Sequence, residues 1–162
     1  NISINKLQKK INIIPFALSN NKNKFLLLKE KNFIEGGALN AFGVSYDYSG
    51  KNFLFENSYK IFGTSLDNLT KLKILDIPDY IKIDVDGIED LILSGAKKNI
   101  LSNKKLKSIL IEINDKFETQ KKTILKIMKN NKFRLISKSR NDNYYKNEEF
   151  DGIFNYIFQK NK

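Results

Sequence analysis

The chain has 162 residues, 41% of them hydrophobic, enough to build one domain with a proper core. It contains no cysteine and no histidine, which excludes disulfides, thiolate metal sites and cysteine nucleophiles and leaves proton transfer to carboxylates, Lys, Tyr or water. The formal charge of +11 comes from lysines spread along the whole chain, so it reads as solvated faces, and a dedicated nucleic-acid surface is not expected.

Residues 1–10 are polar with Ile2, Ile4 and Leu7, as in the tail of a helix. Residues 11–18 predict a strand, 19–23 a turn and 25–29 a second strand. A glycine-bearing loop over 35–43 follows, then strands near 44–48, 53–56 and 59–63. Tyr46, Tyr48, Phe53 and Phe55 alternate as on one strand face, which predicts core. Thr64 or Ser65 caps a short helix over 66–72, with Asp67 in its first turn. Pro78 closes the connection to a strand over 80–85.

A helix from Ile88 to about residue 101 places Ile88, Leu91, Ile92, Gly95 and Ala96 on one face, and the small pair Gly95-Ala96 lets it lie close to the sheet. Residues 108–114 form a near-continuous apolar run, the pattern of a central parallel strand covered on both faces. A helix over 118–130 carries Leu125 and Met128 on one side with Ile124 beside them. Strands over 133–138 and, after Asp151-Gly152, 153–159 complete the chain. From residue 80 onward the order predicts a parallel sheet with right-handed crossovers and a final antiparallel insertion. No apolar run approaches the ~20 residues that span a bilayer, and nothing reads as a secretory signal, so a cytoplasmic location is expected.

The most informative run is I-K-I-D-V-D-G-I-E-D-L-I-L-S-G-A over 81–96: a strand, acids at its carboxyl end, a glycine turn and an amphipathic helix. In open α/β sheets ligands bind outside the carboxyl ends of the strands. This run resembles the signature of the FkbM-type S-adenosylmethionine-dependent methyltransferases. Five further segments are similar to family motifs in the expected order: Pro15-Phe16-Ala17-Leu18-Ser19, the glycine-bearing stretch 35–43, Thr64-Ser65-Leu66-Asp67-Asn68-Leu69, Leu110-Ile111-Glu112-Ile113 and Asn155-Tyr156-Ile157-Phe158.

The resemblance implies a Rossmann-like methyltransferase fold of class α/β, with a mostly parallel sheet and an antiparallel last strand. The family's opening strand and its D-x-G-A-N-x-G cofactor loop have no counterpart here, nor does a second strand ending in a ribose-binding acid; Gly36-Gly37 has the wrong spacing to replace them. The chain is therefore expected to be the C-terminal portion of such a domain, lacking the first two strands. In that sheet the missing strands lie between the third and the fourth. The strand over 80–85 should then show a raw edge that invites a homodimer, or residues 1–60 should be placed in a non-standard way.

The activity implied is methyl transfer from S-adenosylmethionine to a hydroxyl of a sugar or secondary metabolite. The alternative is a catalytically inactive remnant serving as an interaction module. The protein's part in such a transfer is to align the oxygen and take its proton. With no histidine, Asp84 is the first candidate, as catalytic base and cofactor contact. Lys82, two residues earlier on the same face, would hold it ionised or face the developing alkoxide; the bland reading is an ion pair that fixes the strand end. Glu112, a carboxylate in an apolar run, either faces the substrate crevice, as the resemblance implies, or pairs with Lys82. By resemblance Ala17, Leu18 and Ser19 lie at the adenine edge. Asp86, Glu89 and Asn40 are candidates for substrate binding, although Asp86-x-x-Glu89 also has capping-box spacing. The acids Asp84, Asp86 and Glu89 have oxygen ligands suited to Mg²⁺, but nothing in their spacing calls for a metal.

Overall fold

A computed structural model describes residues 1–21, 23–31, 39–52, 54–140 and 150–161. Its elements are β1 (Ala17–Leu18), β2 (Lys24–Glu30), β3 (Asn40–Phe42), β4 (Asn57–Thr64), α1 (Leu66–Lys71), β5 (Tyr80–Ile83), α2 (Glu89–Ser94), β6 (Ser108–Asn114), α3 (Glu118–Asn130), β7 (Phe133–Ser139) and β8 (Ile153–Lys160). They form two sheets, ordered β1-β4-β2-β3 and β5-β6-β8-β7. Among the described residues no helix is long and apolar enough to cross a membrane.

The sheets are mixed where a mostly parallel sheet was expected. Among the described residues only β1 with β4 and β5 with β6 pair in parallel. Strand β8 inserts antiparallel between β6 and β7, which separates two strands of like direction. In the other sheet β2 turns back from β1 and runs antiparallel to both β4 and β3.

The core sits on one face of the β5–β7 sheet. Ile109, Ile111 and Ile113 of β6 are fully buried there, in one cluster with Ile92 and Leu93 of α2 and Ile124, Ile127 and Met128 of α3. Each such side chain contributes about 1.5–3 kcal/mol of burial. The other face of β6 is only half-covered, at Leu110 and Glu112, so the expectation of a strand closed on both sides is corrected. Strand β5 lies at the sheet edge, and Tyr80 is 67% exposed.

Three local expectations also change. Of residues 11–18 only β1 is strand: Pro15 offers no donor, and Ile11 and Ile13 are exposed. Residues 44–48 form no strand; Tyr46 makes only an isolated bridge to Asn52. Phe55 is exposed, so the alternating aromatics do not build a core face. Phe53, and residues 35–38 of the glycine-bearing stretch, lie outside the described residues; the rest of that stretch contains β3.

Ser65 caps α1 as its position suggests, its Oγ accepting from Asn68 N at 3.2 Å. Asp67 does more than favour the first turn. Its carboxylate accepts from the backbone N–H groups of Lys98, Asn99 and Ile100 at 2.7, 2.8 and 3.3 Å, fastening α1 to the turns beyond α2. Asp67→Ala should therefore lower the urea midpoint by the equivalent of about 1–3 kcal/mol, the cost of stranding those donors; an unchanged midpoint would show that water replaces the carboxylate.

Helix α2 is shorter than expected, ending at Ser94, with turns onward to residue 102. Its close approach to the first sheet is real: a Cβ on Gly95 would stand 2.3 Å from the Ser19 carbonyl oxygen and 2.9 Å from Ser65 Cβ. Gly95 is thus where the end of α2 presses on the residues that follow β1 and β4.

Candidate functional site

Strand β5 ends at Ile83, and Asp84-Val85-Asp86-Gly87 carry the chain over to α2. Gly87 has φ +97°, and a Cβ there would lie 2.8 Å from both the Asp47 carbonyl oxygen and Tyr48 Cα. The turn therefore needs glycine for its backbone angle and for the loop packed against it.

Lys82 Nζ and Asp84 Oδ2 form an ion pair at 2.7 Å, with side chains 63% and 42% exposed. The bond to Asp84, its charge and the more distant charge of Glu112 hold the Lys82 ammonium above the usual lysine range. The parallel register sets Lys82 beside Leu110, so Asp84 and Glu112 follow on the same half-open face of the sheet. Glu112 thus acts on Lys82 across neighbouring strands.

Asp84 and Lys82 line a cavity of about 590 Å³ along the free edge of β5. Its apolar walls include Leu18 of β1, Leu66 of α1, Ile81 and Ile83 of β5, and Ile92 of α2. Of the three residues taken for the adenine edge, Leu18 therefore reaches the cavity. Ala17 is half-buried in the β1–β4 ladder, opposite Gly63. Ser19 is 2% exposed and its hydroxyl donates to Asn20 Oδ1 at 3.3 Å.

Asp86 and Glu89 face protein. Asp86 Oδ2 accepts from Leu39 N at 2.8 Å and Asn40 N at 2.9 Å, which ties the turn to the start of β3. Glu89 is 3% exposed. Its Oε2 accepts from Gln120 Nε2 at 2.9 Å, and its Oε1 from Gly87 N at 3.4 Å. The capping box is not formed: the N-cap of α2 is Ile88, which makes no side-chain cap bond. With Asp86 committed to Leu39 and Asn40, its carboxylate is not free to cap the helix. Burial pushes the Glu89 carboxyl up to about 7, against the pull of its hydrogen bonds. Burial also raises Asp90, whose Oδ1 is enclosed without a hydrogen bond among the described residues. Tyr46 is raised by burial and by the charges of Asp90 and Glu89. Among the described residues no three acids gather as they would around a metal ion.

Gln120 escaped the sequence reading. It is 3% exposed, and Nε2 donates to the Gly87 carbonyl at 2.6 Å as well as to Glu89. Its signal was its spacing: Gln120, Ile124 and Ile127 fall on one helical stripe, so a polar side chain there must enter the core. Farther along the carboxyl rim, Asp115 accepts from Tyr156 Oη and from Lys138 Nζ, each at 2.5 Å, and pairs with Lys121 at 3.1 Å. Burial opposes its ionisation, but these three partners hold its carboxyl below the usual range.

The sequence model of a family described as the methyltransferase FkbM domain matches residues 3–135. No curated protein and no solved structure matches the chain.

Proposed function

Because the chain belongs to the FkbM methyltransferase family, we propose that it transfers a methyl group from S-adenosylmethionine to a hydroxyl of a sugar or secondary metabolite. The observation that carries this reading is the Lys82–Asp84 pair standing in the wall of an apolar cavity at the carboxyl end of β5. A volume of about 590 Å³ is of the size that holds small organic ligands. The residues present fit the nucleoside end of the donor: Leu18, Ile83 and Ile92 offer flat apolar contact for a base, and Asp84 offers a carboxylate to hydroxyls.

When bound, the donor supplies an electrophilic methyl carbon. The chain's own residues do the rest. Asp84 accepts the proton of the acceptor hydroxyl, and the Lys82 ammonium, paired with it at 2.7 Å, faces the oxygen as its charge develops. Glu112 restrains the Lys82 ammonium from the neighbouring strand. Asp86 ties Leu39 and Asn40, at the start of β3, to the turn that carries Asp84. The open edge of β5 favours a second reading, a catalytically silent module that pairs this strand with a second copy of the chain.

Calorimetric titration with S-adenosylhomocysteine separates the two readings. Micromolar binding is expected of the transferase. Absence of heat at millimolar ligand, with a folded chain, would overturn it and leave the interaction module.

A further inference from the structure

The turn that presents Asp84 is clamped from two sides. On one side the Asp47–Tyr48 backbone sits where a Gly87 Cβ would be. On the other, Gln120 of α3 reaches through the core to bond the Gly87 carbonyl and the Glu89 carboxyl with a single amide nitrogen. Glu89 closes the ring by accepting from Gly87 N. Both side chains are 3% exposed, so solvent does not compete for these bonds.

We propose that Gln120 is a positioning residue and that, with Glu89, it forms a proton-operated latch on the turn bearing Asp84 and Asp86. The functional consequence rests on the reading of Asp84 as proton acceptor; the latch itself does not. As a carboxylate, Glu89 accepts from both Gly87 N and Gln120 Nε2, and charge shortens and strengthens such bonds. On protonation one of its oxygens becomes a donor and one N–H, of Gly87 or of Gln120, loses its acceptor, so the ring of bonds opens and the Gln120 bond to the Gly87 carbonyl remains as the direct tie to α3. The groups facing Glu89 are Asp90 on its own helix, Tyr46 from the loop after β3, and the uncharged Gln120. Asp86, on the turn, is engaged with Leu39 and Asn40. No cation acts on Glu89 among the described residues, so nothing neutralises it except a proton.

The position of its titration follows from burial, which brings it to about 7. An unfolded glutamate titrates near ~4.3. The folded value is therefore the higher one. The stability this group contributes is fully present below the unfolded value and is lost as pH rises through about 7. Fastening the latch thus costs global stability.

The test is carbon-detected NMR of the Glu89 carboxyl together with the backbone amides of Asp84, Asp86 and Gly87, followed from about pH 5 to 9 without any ligand. The carboxyl and the Gly87 amide should share one midpoint. Gln120→Met, which keeps the volume and removes the donor, should move that midpoint upward and displace the Gly87 amide. Glu89→Gln should leave the Gly87 amide independent of pH over the same range. A Gly87 amide that ignores the Glu89 titration would overturn the proposal, as would an unchanged midpoint in Gln120→Met. Should Gln120→Met not fold, the unmodified chain and Glu89→Gln decide. Since no methyl donor is present, failure here is separate from failure of the transferase reading. Where transfer is measured, Gln120→Met should lower kcat with little effect on KM and shift the pH profile with Glu89.

Discussion

Converting Asp84 to asparagine should slow methyl transfer about 10²- to 10⁴-fold, the range lost with a positioned proton acceptor. Asparagine keeps the shape of the side chain and its ability to bond a hydroxyl, but it cannot take the proton at neutral pH. The fold should survive, because Asp84 is 42% exposed on its side chain and its ion-pair partner Lys82 is 63% exposed; such pairs contribute about 0–1 kcal/mol. Binding of S-adenosylhomocysteine should weaken far less than turnover does. Lys82→Met gives the companion result: with Asp84 still present, a smaller loss is expected. Equal activity in Asp84→Asn and the unmodified chain would remove the carboxylate from the chemistry.

Gly95→Val should be the most damaging single change to the architecture. A Cβ at Gly95 meets the Ser19 carbonyl oxygen at 2.3 Å, Ser65 Cβ at 2.9 Å and Asn20 Cα at 3.2 Å, and two of these three atoms are backbone. There is no flexible side-chain end to swing aside. The helix must move off the first sheet, taking Ile92 away from Leu18 and opening the cavity between them. At least the ~1–3 kcal/mol of an overpacked core is expected, and the branched side chain adds methyl groups in the same crowded space. Thermal unfolding with and without S-adenosylhomocysteine checks both consequences: a lowered midpoint and a lost ligand-induced rise. A midpoint equal to that of the unmodified chain would mean that the end of α2 does not press on Ser19 and Ser65 at Gly95.

Much of the second sheet was readable before any coordinates. Ser108–Asn114 and Glu118–Asn130 run as expected, because a seven-residue apolar stretch and a long 3.6-period stripe leave few alternatives. Ser65 betrayed α1 through its hydroxyl and the following Asp67. The pairing partners were not readable in the same way. An antiparallel insertion of the last strand was expected, but nothing local in Ile153–Lys160 names β6 and β7 as its neighbours. Nor does any local feature say that residues 17–64 build a sheet of their own.

The aromatic segment failed for a physical reason. Tyr46 packs edge-on to Phe117 at 5.6 Å, and Tyr48 tilts against Phe150, also at 5.6 Å. Their alternation reflects contacts with other elements instead of a strand's pleat. In the site, Asp84 and Lys82 were legible from motif position and strand parity. Asp86 and Glu89 share one motif yet face different partners, because Asp86 meets the chain entering β3 while Glu89 turns into the core beside Gln120. Sequence spacing cannot separate those fates, since both partners come from distant parts of the chain.

The most direct measurement is a methyl-resolved NMR titration of the folded chain with S-adenosylhomocysteine. The methyl groups of Leu18, Ile83 and Ile92, which wall the cavity, should shift together and saturate at micromolar ligand, while those of Ile124 and Ile127 on α3, buried and absent from that wall, stay in place. Shifts confined to other residues, or none at all up to millimolar ligand, would contradict a methyl-donor site beside Asp84.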